Sequence, residues 1–274
     1  MSFSHATVFY NAQKTQNQQP AEQAAAWLSK HGVAAQTTTD FENLSQTDIL
    51  ICMGGDGTML RCARECAPRR IPLLGVNCGT LGFLAACEKE EWETALADLL
   101  DGKFILQERM MLSVRIQSPD CLVQQLLALN DCVIHADKAR VLTVEAAFDA
   151  HPLPPYFGDG VLISTPTGST AYALAAGGPI VAPGVEGLLV TPICPHTLSQ
   201  RPILLPTGKK LELYPVLKTP LDGAGLTIDG QENLSLPPHT QVQISPYEHK
   251  ARFLMSPKRD FFTMLNRKFN WGNR

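Results

Sequence analysis

The chain has 274 residues, 45% of them apolar and 18% charged, which is length for one large domain or two modest ones. Its net charge of −3 excludes the usual electrostatic argument for nucleic acid or an anionic membrane as the main partner. No stretch of roughly 18 or more apolar residues marks a transmembrane helix, and the opening "MSFSHATVFYNAQK" lacks the basic-then-apolar pattern of a signal peptide, so a cytoplasmic protein is expected.

Taken in chain order, Ala6 to Tyr10 reads as a strand, and Pro20 to Gly32 as a helix with proline near its start and glycine at its stop. Ile49, Leu50, Ile51, Cys52 and Met53 form an unbroken apolar run, the pattern of a parallel strand buried on both faces. A helix over 58–66 follows, then a second buried strand over 71–77. Glu88 to Gly102 reads as a helix with acidic residues in its first turn. Alternation of this kind predicts a doubly wound, Rossmann-like parallel sheet over residues 1–105.

Near residue 106 the texture changes to short β-branched segments separated by Gly, Pro and Asn-Asp, so residues 106–249 are predicted to form a mostly β, sandwich-like domain with one short helix at 169–176. Prolines are concentrated in its connections. Within the tail, 250–274, residues 251–256 read as one more short β segment and 258–274 turn helical again, with Phe261, Phe262, Leu265 and Phe269 at helical spacing. Eight cysteines are scattered without a Cys-x-x-Cys pair. Cys62 and Cys66 share a predicted helix without histidines at ligand spacing, so buried thiols in a reducing compartment are expected rather than a zinc site.

The chemistry sits in the breaks. After the strand at 49–53 come Gly54, Gly55, Asp56, Gly57 and Thr58. Glycines at a strand-to-helix turn expose backbone N–H groups at the positive end of a helix dipole, an anion cradle. Asp56 does not fit a pure phosphate cradle, because a carboxylate repels phosphate. It is either an N-cap or a working group. A second glycine motif, 75–84 with Asn77, Gly79, Thr80 and Gly82, follows the next buried strand. In a doubly wound sheet both loops lie at the carboxyl ends of their strands, where such folds bind ligands.

The longest motif runs from 156 to 179. Asp159-Gly160 makes a turn, a strand follows, and Thr165 to Tyr172 packs hydroxyls around Gly168. Hydroxyls and helix-start amides suit a ribose or phosphate, although an ST-rich turn capping its own helix would look the same, and for Ser169 that capping role is preferred. Asn130-Asp131 interrupts an otherwise apolar strand, where a buried carboxylate is costly unless paired or used. A sheet-edge bulge is the alternative. Asp229-Gly230-Gln231 reads equally as a hairpin turn.

In this order, the blocks at 54–58, 75–83, 130–131, 159–172, 191–203 and 229–231 resemble those of bacterial NAD kinases, over roughly residues 45 to 235. The first block alone is shared with lipid kinases and phosphofructokinase-like enzymes. The blocks around Thr165–Tyr172 and Cys194–Ser199 make the resemblance specific. It implies an ATP-dependent kinase that phosphorylates the 2′-hydroxyl of the adenosine ribose of NAD, with Asp56 as general base. It implies an NAD site of Asp56, Gly57, Phe83, Asn130, Asp131, Asp159, Thr167, Thr170, Ala171, Tyr172 and Gln231, and a phosphate loop of Gly54, Gly55, Gly57 and Thr58. It also implies Mg²⁺ with ATP, a tail that returns to the first domain, and a homodimer or homotetramer.

Two departures stand out: Ala173 and Ala175 replace serines common in relatives, and residues 135–142 lack a glycine turn often found there. His196 is expected to be structural, between two strands. A lipid kinase of the same superfamily should show a membrane-facing patch, which the net charge disfavours. A non-catalytic dinucleotide-binding module would be better served without Asp56.

Overall fold

The first apolar run, Ile49–Gly54, is indeed a strand with every residue buried. Its period-2 alternation explains why both faces are apolar. Ile49, Ile51 and Met53 join a core with Ala21, Ala24 and Leu28 of the helix Gln18–Lys30 and with Leu96 and Leu99 of the helix Trp92–Leu100. Cys52 faces the other way, against Cys62 of the helix Asp56–Cys66. The computed structural model describes residues 3–80, 82–118, 121–138, 140–217 and 223–270. Leu81 of the second glycine motif, Ala139 and the last four residues of the tail lie outside them.

The chain divides into two compact units, Met1–Arg109 with His249–Arg274, and Met110–Glu248. In the first, a seven-stranded sheet runs in the order Ala34–Thr38, His5–Tyr10, Ile49–Gly54, Leu73–Asn77, Ala251–Met255, Ile105–Arg109, with Cys87–Glu88 pairing beside Leu73–Asn77. The four strands from Ala34–Thr38 to Leu73–Asn77 are mutually parallel. Gly32 and Gly102, at φ +85° and +71°, end their helices in the left-handed conformation that glycine adopts without a Cβ penalty. The tail strand Ala251–Met255 is parallel to Leu73–Asn77 and antiparallel to Ile105–Arg109, so the chain's end completes the sheet begun at its start. The helix Phe261–Phe269 follows, capped by the Asp260 carboxylate on the Phe262 and Thr263 amides.

The second unit is two six-stranded antiparallel sheets packed face to face. Leu112, Val114, Leu142, Val144, Cys132, Ile134, Val161, Ile163, Leu226 and Ile228 point inward into one core. On the strand Asp131–Ala136 the alternate residues Asp131, Val133 and His135 therefore face outward. A one-residue register slip would exchange the two sets.

Three sequence expectations need correction. The predicted strand through Asn130-Asp131 is two strands, one ending at Ala128 and one starting at Asp131, each in a different sheet, with a bend between them. The predicted helix at 169–176 is a 3₁₀ turn, Thr167–Thr170, followed by a single turn, Tyr172–Ala175. Prolines 152, 154 and 155 lie within a strand, His151–Gly158, at the edge of its sheet, where a missing N–H is tolerated. Among the described residues no helix is long and apolar enough to cross a membrane.

Candidate functional site

In the first unit Gly55 is extended (φ −92°, ψ −179°) and Asp56 is the first residue of its helix. The carboxylate does not cap that helix. It reaches the second glycine motif, where Asp56 Oδ2 accepts from the Phe83 amide at 3.0 Å and Oδ1 from the Leu84 amide at 3.4 Å. Gly82 makes this possible, because a Cβ there would sit 1.9 Å from Asp56 Oδ1. The two glycine motifs are thus one structure held by a carboxylate. Phe83 lies against the tail helix: its ring centroid is 6.1 Å from that of Phe261 and 5.9 Å from that of Phe269, and Lys268 Nζ stands 4.9 Å over the ring.

In the second unit three separate motifs build one cavity of about 320 Å³, lined by Asn130, Asp131, Val133, His135, Ala171, Tyr172, Thr227, Asp229 and Gly230. Its floor is the outward row Asp131, Val133, His135 with Thr227 beside Val133 in register. Tyr172 closes one side; it is 47% exposed although a large aromatic residue, which leaves a ring face open for stacking. An adjoining cavity of about 610 Å³ shares His135 and Tyr172 and adds Lys138, Arg140, Asp159 and His196.

The Leu129–Asn130 bend is fixed from two sides. Thr165 donates its hydroxyl to the Leu129 carbonyl at 2.6 Å and its amide to the Asn130 carbonyl at 2.9 Å. Gly168 packs so closely that a Cβ would meet the Asn130 carbonyl oxygen at 2.2 Å. On the other side the Asp229 carboxylate accepts from three successive amides, Leu129 at 3.1 Å, Asn130 at 2.8 Å and Asp131 at 3.1 Å. Asp229 and Gly230 both have positive φ (50° and 65°), the pair a type I′ turn requires, and that turn aims the Asp229 side chain at the bend.

Asp131 is 5% exposed, and among the described residues nothing hydrogen-bonds its carboxylate. Burial, reinforced by the charge of Asp229, pushes it up to about 7. A buried carboxyl with its oxygens turned into a cavity suits a ligand hydroxyl.

The expected residues therefore fall into groups. Asp56, Gly57 and Phe83 belong to the first unit. Asn130, Asp131, Ala171 and Tyr172 come together in the second. Asp159 lines the adjoining cavity, where Cys194 hydrogen-bonds its carboxylate. Thr167, Thr170 and Gln231 are outside both linings: Thr170 donates to the Thr167 carbonyl, and the Gln231 amide to Ile228. Ser169 is structural, donating to the Pro166 carbonyl and accepting from the Val181 amide. His196 lies between the strands Gly187–Ile193 and Ile203–Pro206 and is exposed, edge-on to Phe157, on the rim of the larger cavity. Sequence reasoning left His135, Thr227 and Asp229 unassigned, although Asp229 stood inside a motif already singled out.

Family models describe both halves: the ATP-NAD kinase N-terminal domain matches residues 3–104 and the ATP-NAD kinase C-terminal domain residues 129–256. The chain is similar to the NAD kinase of Geobacter metallireducens, 39% identical with 91% of this chain and 86% of that one covered. With the NAD kinase of Aquifex aeolicus the identity is 41%, covering 82% of each. Among solved structures, a yeast NADH kinase complexed with NADH has the same fold, with a TM-score of 0.90 at 22% identity over 99% of this chain and 89% of that one. An Archaeoglobus fulgidus NAD kinase in complex with ATP gives 0.78 at 25% identity over 96% and 98%.

Proposed function

Because the chain belongs to the ATP-NAD kinase family, we propose that it transfers the γ-phosphoryl group of ATP to the 2′-hydroxyl of the adenosine ribose of NAD, giving NADP and ADP. The observation that carries this reading is the cavity where Asn130, Asp131, Ala171 and Tyr172 meet, although they are distant in sequence. Asn130 and Asp131 hold the adenosine end of NAD, Asp131 accepting from ribose hydroxyls. Tyr172 packs on the adenine ring; base–aromatic stacking of this kind contributes about 1–3 kcal/mol. Thr167 and Thr170 build the turn that presents Ala171 and Tyr172. Asp159 and Gln231 complete the NAD-binding set.

A ribose hydroxyl must lose its proton as the new P–O bond forms. Asp56 accepts that proton. Its oxygens take one amide hydrogen each from Phe83 and Leu84, and a carboxylate has lone pairs beyond those two. Phe83 lies against NAD. The backbone of Gly54, Gly55, Gly57 and Thr58, at the start of the helix Asp56–Cys66, receives the ATP phosphates.

Mg²⁺ arrives with ATP. Among the described residues no group of three or more carboxylates, histidines or cysteines forms a metal cage, which fits an ion that would be held mainly by phosphates and water, with Asp56 the carboxylate of the glycine motif that would face it. When bound, the ion offsets charge on the phosphates. The same reading includes a cytoplasmic homodimer or homotetramer, which rests on family membership.

The test is incubation with NAD, ATP and Mg²⁺, with NADP read by an NADP-specific dehydrogenase. NADP formation that stops when ATP is omitted is the expected result. NAD binding without NADP would overturn the kinase reading and leave a dinucleotide-binding module.

A further inference from the structure

We infer that Asp229 is a positioning residue for the Asp131 carboxylate, holding the peptide units from Leu129 to Asp131 while keeping a second carboxylate at its side. The inference rests on the proposed binding of a ribose hydroxyl by Asp131. Its own basis is the hydrogen bonding of the bend, which can be traced completely. Three amides donate to Asp229. The Asp229 amide in turn donates to the Asp131 carbonyl at 2.9 Å, and the other two carbonyls are taken by Thr165. Every backbone polar group of residues 129–131 has a partner, and four of the six are Asp229.

An ordinary hairpin turn needs none of this. Residue 229 follows the strand Ala224–Ile228, about 100 positions from the bend it holds, and is itself only 7% exposed. A carboxylate in that place has a consequence that a neutral acceptor would not. It puts like charge beside Asp131, so Asp131 retains its proton to higher pH than burial alone would dictate. Among the described residues, His135 on its own strand and Tyr172 from the turn above line the same cavity as Asp131, and its register partner on the strand Gly160–Ser164 is the uncharged Ser164. NAD binding through Asp131 should therefore strengthen as pH rises through neutrality, with Asp229 setting where that rise falls.

Asp229→Asn separates the two roles. Asn Oδ1 still accepts from the Asn130 and Asp131 amides, but the charge is gone and the Leu129 amide loses its acceptor. In the folded variant the acid limb of kcat/KM for NAD should move to lower pH by roughly one unit, with kcat at its plateau retained within a few-fold. Asp229→Ala, which removes both oxygens and leaves all three amides without their acceptor, should raise KM for NAD at least tenfold, and Asp229→Asn should restore most of that loss. A second readout needs no NAD: the carboxyl ¹³C resonance of Asp131, identified by its absence in Asp131→Asn, should titrate at lower pH in Asp229→Asn than in the parent protein. An unmoved midpoint in folded protein would overturn the inference even if the parent makes NADP. A shifted midpoint in a protein that makes no NADP would uphold the positioning role and remove only the kinase reading.

Discussion

Two carboxylates, Asp56 in the first unit and Asp131 in the second, are held in opposite ways. Asp56 is half-buried and is itself the acceptor of two amides, so its position is set through its own oxygens. Asp131 is buried and its oxygens are left for the cavity, while a second carboxylate, Asp229, takes the amides around it. One unit fixes its acid directly, and the other fixes the backbone that carries it. The difference teaches how a protein can hold one carboxylate firmly through its own oxygens and keep another unsatisfied by fixing only the backbone that carries it.

Breaking the first arrangement should have the largest effect. Asp56→Asn keeps the amide contact of one oxygen but removes the proposed base, and should lower turnover by roughly 10²–10⁴-fold while NAD still binds in titration calorimetry. Turnover near that of the parent protein would exclude Asp56 as the base. Gly82→Ala tests the geometry rather than the chemistry. The new methyl must displace the Asp56 carboxylate, and a displacement of about 1 Å can cost on the order of 10²-fold in rate. The cavity residues Asn130, Asp131 and Tyr172 are unaltered in that variant, so its NAD affinity should hold; if affinity falls as far as rate, the contrast between a reacting and a binding carboxylate is lost.

The second arrangement is sharpened by stability. The folded protein holds the Asp131 proton up to about 7 against an ordinary value of 3.8. A raised folded value means that the contribution to stability is complete below pH 3.8 and is lost as pH rises through 7. The loss is at most about 4 kcal/mol. Asp131→Asn has no such loss, so urea denaturation of the ligand-free variant should show higher stability than the parent at pH 8 and little difference at pH 4, with NAD binding weakened throughout. Equal stability at pH 8 would mean that Asp131 is better solvated than its burial indicates. The smallest effect lies away from both sites, in the hairpin between Leu142–Phe148 and His151–Gly158. There Ala150 sits at φ +63°, and Ala150→Gly should raise the denaturation midpoint by the equivalent of about 0.5–1 kcal/mol without changing kinetics.

Much of the first unit was legible because its signals are local: an apolar run, a glycine stop, an acidic first turn. Strand Ala34–Thr38 was not, since its residues are largely exposed at a sheet edge and carry no apolar period. In the second unit Asn130-Asp131 was recognisable as an anomaly, but its cause was not. Nothing local distinguishes a bulge within one strand from a bend that carries the chain from one sheet to the other. Asp229 was visible only as turn chemistry, because its task is defined by amides about 100 residues earlier. The short helix was overestimated for a related reason. Ala171 lies at φ −103°, ψ −127°, a break that small helix-forming residues around it conceal.

The tail strand Ala251–Met255 lies between Leu73–Asn77 and Ile105–Arg109. During synthesis both flanking strands therefore leave the ribosome long before the strand that joins them. Until residues 251–255 emerge, the edge of Leu73–Asn77 stands open and Ile105–Arg109 has no strand partner, and open edges are templates for pairing with other chains. The segment Met110–Glu248 is continuous and can fold in that interval. A ribosome that stops short of residue 251 would release a chain with one finished unit and one exposed seam.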